Sequence, residues 1–149
     1  MVYKTPVSVL VVIYTPDLQV LLLERADHPG YWQSVTGSCD PGENLRQTAV
    51  REVAEETGLA AESFRLSDWN TQNVFEIYAE WRHRYAPGVT HNTEHVYGLC
   101  LPEPLPITLA PREHLDFVWL PWQEAARKAF SWTNVAAIEK LPEMTGHPG

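Results

Sequence analysis

The apolar positions come first as continuous runs, then as a helical stripe, then as runs again. Val7 to Tyr14 and Gln19 to Arg25 are apolar runs separated by Pro16-Asp17, the pattern of two strands joined by a turn. Tyr31 to Thr36 reads as a third short strand, and Asp40-Pro41-Gly42 as a loop. From Asn44 to Thr57 the period changes. Leu45, Ala49 and Val53 recur at i, i+4 and i+8, which predicts a helix with one apolar stripe, stopped by Gly58. Val74 to Trp81 and Glu94 to Leu101 read as strands around the loop Arg84 to Asn92, and Phe117 to Leu120 as one more. Pro121 suits the start of a helix, and Ser131 suits the cap of a last one running through Lys140. Strands, a central helix, further strands and terminal helices predict a mixed sheet packed between helices, α/β or α+β.

Length and charge narrow the classes. The chain has 149 residues, so one domain over 1–149 is expected, with a flexible tail from Thr145 to Gly149. It carries 11 basic and 19 acidic residues, a formal charge of −8. That balance argues against nucleic acid held on a broad basic surface, but leaves room for a small anionic substrate in a locally basic, metal-assisted pocket. Cys39 and Cys100 are the two cysteines, too few for a disulfide scaffold. With no basic leader before Val7 to Tyr14, and a run far too short to span a bilayer, a cytoplasmic protein is expected.

The chemistry concentrates in the predicted central helix. Glu52, Glu55 and Glu56 are related by i+3 and i+4 and share a face, where like charges repel. A solvated acidic surface is one reading; a hard divalent cation with oxygen ligands is the other. Arg51, four residues before Glu55, is placed to brace the carboxylates, with Glu43 as its own partner. The whole segment from Gly37 to Leu59, Gly-x5-Glu-x7-Arg-Glu-Val-x-Glu-Glu-x-Gly-Leu, decides between them. It resembles the signature of the Nudix hydrolases at every specified position. The resemblance implies an α/β/α sandwich and hydrolysis of a phosphoanhydride by water at a metal site. Glu52 and Glu56 would be the principal Mg²⁺ ligands (with Mn²⁺ a possible substitute) and Glu55 a further ligand or a supporting group. Glu43 and Arg51 would hold the box together. Glu113, in Arg112-Glu113-His114-Leu115 before the last strand, would be a metal ligand or base; otherwise it is a surface glutamate.

Substrate choice must come from outside the box. Arg82 and Arg84, at alternate positions of a predicted strand end, would point the same way and suit a triphosphate, or merely protect a sheet edge. The stretch Trp81 to Glu94, the opening Val2-Tyr3-Lys4 with Pro6-Val7-Ser8, Tyr31 to Gly37, and Ser131-Trp132 together resemble the dihydroneopterin triphosphate pyrophosphohydrolases of bacterial folate synthesis. That group releases pyrophosphate, leaves the monophosphate and also cuts nucleoside triphosphates such as dATP. By position, Lys4, Arg25, Thr36, Phe75, Glu76, Ile77, Tyr78 and Ser131 would line the substrate site. Glu76 would read the pterin edge, and Arg82 or Arg84 would grip phosphate. The tryptophans are expected mainly in the core, and no histidine is assigned to metal. A broad nucleoside triphosphatase and a non-catalytic ligand-binding module on the same fold are the competing readings. An mRNA-end trimming enzyme fits the acidic balance poorly. Oligomeric state is left open.

Overall fold

The computed structural model describes residues 2–146. Among them, seven strands form one sheet: β1 (Val7–Tyr14), β2 (Gln19–Arg25), β3 (Trp32–Gln33), β4 (Val35–Ser38), β5 (Arg65–Glu76), β6 (His91–Cys100) and β7 (His114–Pro121). The helices are α1 (Leu45–Thr57), α2 (Trp122–Lys128), α3 (Trp132–Glu139) and α4 (Leu141–Thr145). The main path of the sheet is β3-β2-β1-β6-β5, with β4 added to β1 and β7 to β2. β1 and β6 run parallel and the other pairs are antiparallel, so the sheet is mixed as expected.

The continuous apolar character of β1 follows from burial on both faces. Leu10, Val12 and Tyr14 pack toward Ala125, Ala126, Ala137, Ile138 and Leu141 of the C-terminal helices. Val9, Val11 and Ile13, on the opposite face, pack with Ala49 and Val53 of α1. The sheet therefore lies between helices. The stop expected at Gly58 holds, and the helix begins one residue later than expected, with Asn44 outside it as the cap. Asn44 and Gln47 form a reciprocal capping box, and Gly58 ends the helix in the left-handed conformation at φ 75°.

Three expectations change. Tyr31 to Thr36 is not one strand but two short ones, which pair with different neighbours, β3 with β2 and β4 with β1. The strand expected at Val74 to Trp81 instead runs Arg65–Glu76. It pairs only with β6 and carries an irregularity at Asp68/Thr71, where Asn70 takes φ 51°. A strand at the sheet edge, with half its residues open to water, shows no apolar run to announce it. Residues 79–84 form a 3₁₀ turn, so Arg82 and Arg84 are not alternate strand positions. Thr145 ends α4 and Gly146 caps it; of the expected flexible tail, 147–149 lie outside the described residues. Among the described residues, no helix is long and apolar enough to cross a membrane.

Candidate active site

α1 and β4 build one end of a cleft from neighbouring segments of the chain. Glu52 and Glu56, one turn apart on α1, are 8% and 2% exposed. Burial pushes both carboxyl pKa values up, that of Glu56 well above the usual range, and the two carboxyl groups lie within hydrogen-bonding reach of each other. The Thr36 backbone hydrogen-bonds to Glu56 and favours its charge. Glu56 Oε1 has no hydrogen-bond partner. His114 lies beside it, with Nε2 at 3.7 Å, and is itself pushed down to about 4 by burial and by Arg25. The imidazole is therefore neutral and supplies no countercharge.

Of this buried pair only Glu52 has a cation beside it, Arg51, while Glu56 has none and keeps an idle oxygen, so the two form a hard oxygen donor set that fits a divalent cation. Among the described residues, no group of three or more His, Cys, Asp or Glu is gathered in a metal-holding cluster. Glu113 sits on the turn before β7 and acts on Glu56 only as a nearby negative charge. A pair suffices for Mg²⁺, which keeps several waters and takes substrate phosphates as ligands.

Arg51 holds this end together. Its Nε and Nη2 donate to Glu43 at 2.8 and 2.9 Å, Nη2 also donates to the Ser38 carbonyl at 2.9 Å, and Nη1 donates to Glu52. The guanidinium keeps the Glu43 carboxyl down at about 2. Glu55 makes only the outer contact, 3.3 Å from Arg51, and is half exposed. It does not line the cleft, so of its two expected roles support is the one compatible with this position.

Gly37, the first residue of the box, touches the pair directly: a Cβ there would collide with the Glu52 side chain. Glu52 is pinned by Arg51, so it has to leave its place rather than swing aside. Gly37→Ala is expected to fold, with turnover reduced roughly a hundredfold by a misplacement on the order of 1 Å. A thermal melt beside steady-state kinetics checks this; normal turnover in a folded variant contradicts the placement.

From the carboxylate pair the cleft opens into a cavity of about 840 Å³. Lys4, Arg25, Thr36, Phe75, Glu76, Ile77, Tyr78, Arg84, Glu113 and Ser131 all line it. Arg25 is held by Asp27 and Gln33 and lies over the Trp81 ring at 4.6 Å. Lys4 stands at the lip near Arg84 and Arg25. Loss of bulk water, then those two cations, pushes its pKa down. Arg82 is the exception: it donates to the Ile77 carbonyl and pairs with Glu76 at 3.4 Å outside the lining. Of the two arginines offered for phosphate, the structure brings only Arg84 to the cavity. Glu76 stands at its edge with its side chain 69% exposed.

Several lining residues escaped the sequence reading. Phe130 stacks on Tyr31 at 4.1 Å and meets Tyr78 and Trp81, making an aromatic wall. Trp132, expected in the core, is 56% exposed and belongs to the same cavity. Ser131 between them caps α3 at φ 74°, a left-handed conformation unusual for a side-chain-bearing residue. Asn92, Glu94 and His114 are buried and line the cavity from β6 and β7. One signal for Glu94 was present: an acid in an otherwise inward-facing strand register, Asn92-Glu94-Val96.

The chain is 49% identical over 143 residues to dihydroneopterin triphosphate diphosphatase of Escherichia coli K12, covering 94% of each chain. It is 44% identical to the Haemophilus influenzae protein of the same name, covering 94% of this chain and 89% of that one. The solved structure of the E. coli dihydroneopterin triphosphate pyrophosphohydrolase superposes with a TM-score of 0.88 at 49% identity, over 94% of this chain and 97% of that one. A NUDIX hydrolase from Listeria monocytogenes, at 23% identity and a TM-score of 0.80, shares the fold. The NUDIX domain profile matches residues 4–141, and with the carboxylate pair, the braced arginine and these relatives it establishes that the chain belongs to the NUDIX family as a pyrophosphohydrolase.

Proposed function

We propose that this protein hydrolyses dihydroneopterin triphosphate to dihydroneopterin monophosphate and pyrophosphate, with Mg²⁺ as its metal, Mn²⁺ as a substitute and dATP as a lesser substrate. The observation that carries the reading is one cavity with a carboxylate pair at one end, cations at its lip and an aromatic wall along its side. The 49% identity to a dihydroneopterin triphosphate diphosphatase supports the pterin as the occupant of that wall. Two unpaired cysteines favour a reducing compartment, and we place the reaction in the cytoplasm.

Glu52 and Glu56 would hold the metal, whose charge offsets that of the phosphate oxygens and makes water easier to deprotonate. Arg25, Lys4 and Arg84 bind the triphosphate, and the anion offsets the desolvation and the repulsion from Arg84 and Arg25 that lower the Lys4 pKa. Phe75, Tyr78 and Phe130 offer ring faces to the flat pterin. Glu113 is exposed on its turn across from the pair and takes the proton of the attacking water. The new P–O bond forms as the α–β anhydride bond breaks, and pyrophosphate leaves with the bonding electrons.

Product analysis tests this. Incubation with dihydroneopterin triphosphate and Mg²⁺ is expected to yield pyrophosphate and the pterin monophosphate. Orthophosphate with a pterin diphosphate would place the cut at the terminal phosphate and reject the reaction.

A further inference from the structure

Glu94 stands apart from the carboxylate pair and from the cations assigned to phosphate, yet it is the most deeply placed acid on the β6 side of the cavity. It is 4% exposed, its Oε1 has no hydrogen-bond partner, and it lines the cavity. Asn92, two residues earlier on the same strand face, is 3% exposed. Its amide Nδ2 donates to Ser8 Oγ at 2.8 Å, which fixes the orientation and leaves Oδ1 as a second acceptor without a partner. The parallel pairing of Ser8 with Glu94 brings this group together from β1 and β6. Two buried acceptors left idle on one face are costly to a fold unless a ligand supplies the donors. Water cannot reach them freely, and among the described residues no arginine or lysine pairs with them.

We infer that Glu94, with Asn92 beside it, is the specificity-determining acceptor that reads the N–H edge of the substrate's heterocycle. The inference rests on the pterin reading of the cavity and names the residue that would enforce it. An aminopyrimidinone presents an amino group and a ring N–H side by side, two donors matched to a carboxylate. Adenine presents an amino donor next to a ring acceptor, which a carboxylate satisfies only in part. Burial raises the Glu94 pKa to about 7, opposed by a hydrogen bond from the Thr133 side chain, while Oε1 is left without a donor. Glu76 is less suited to this role, since it is mostly exposed and already paired with Arg82.

The test compares kcat/KM for dihydroneopterin triphosphate and dATP in the wild-type protein and in Glu94→Gln, with Mg²⁺. Glutamine keeps the shape but turns one acceptor into a donor facing donors. The pterin-to-adenine ratio is expected to fall roughly ten- to a hundredfold, with turnover of dATP kept or raised, because an amide complements adenine. An unchanged ratio, or equal loss on both substrates, overturns the inference; so does a ratio that falls in Glu76→Gln instead. Should Glu94→Gln fail to fold, Glu94→Asp keeps the charge, withdraws it by one methylene and is read on the same ratio. The wild-type arm separates the two layers. If the wild type cuts dATP but not the pterin triphosphate, the substrate reading fails and takes this inference with it. If it cuts both, the variants decide on Glu94 alone.

Discussion

Glu56→Gln is expected to lower turnover by about three orders of magnitude while the protein stays folded. The glutamine preserves the shape of a side chain that is 2% exposed and packed against Glu52 and His114. It removes one charge from the pair that would hold the metal, and loss of a single preorganised electrostatic group commonly costs a hundred- to a thousandfold in rate. A second readout separates metal loss from damage. Ligand binding to the native state raises stability by RT ln(1 + [L]/Kd), about 2.7 kcal/mol at a hundred times Kd. For a chain of this length that is a rise of roughly 5–10 °C in Tm. Wild-type protein titrated with Mg²⁺ should show that rise and lose it on chelation, and Glu56→Gln should show neither. A variant with near-normal turnover at saturating Mg²⁺ would remove Glu56 from the metal site.

Arg51→Met should be the most destabilising single change in the box, about 3 kcal/mol at pH 7 with turnover abolished. The guanidinium is shared among Glu43, Glu52 and the Ser38 carbonyl, and its removal leaves partly buried carboxylates facing one another. Arg51→Lys should recover little, because an ammonium cannot make the bidentate contact to Glu43. The loss should depend on pH. Glu43 falls from an ordinary 4.5 to about 2 in the fold. A depressed carboxyl stabilises the native state above about pH 4.5, and this contribution disappears as pH falls through about 2. The difference between wild type and Arg51→Met should therefore shrink by about 2 kcal/mol from pH 5 toward pH 2, once solvent screening of a partly exposed network is allowed for. Urea melts across that range check it, and a pH-independent difference would contradict the ion pair as the cause.

What the sequence determined by itself is what short spacing encodes. The i, i+3 and i+4 relations put Glu52, Glu55 and Glu56 on one helix face, and the stop at Gly58 ends α1 without help from elsewhere. The continuous runs in β1 and β2 mark strands buried on both faces, and so a sheet between helices. Tertiary structure decided the rest, because it depends on which distant segments pair. β5 lies at the edge and pairs only with β6, so its polar stretch carried no signal of its own. Residues 79–84 tighten into a 3₁₀ turn, which sends Arg84 to the cavity and Arg82 to Glu76. Which glutamates of α1 face the cleft was decided by burial: Glu56 is closed in between β4 and His114, whereas Glu55 faces water. The strand register hints at Glu94, but the unmet acceptors of Glu94 and Asn92 arise only when β6 is laid parallel to β1 and both are sealed from solvent. A polar group's cost depends on its distance from water, and that distance is set only when the whole chain has packed.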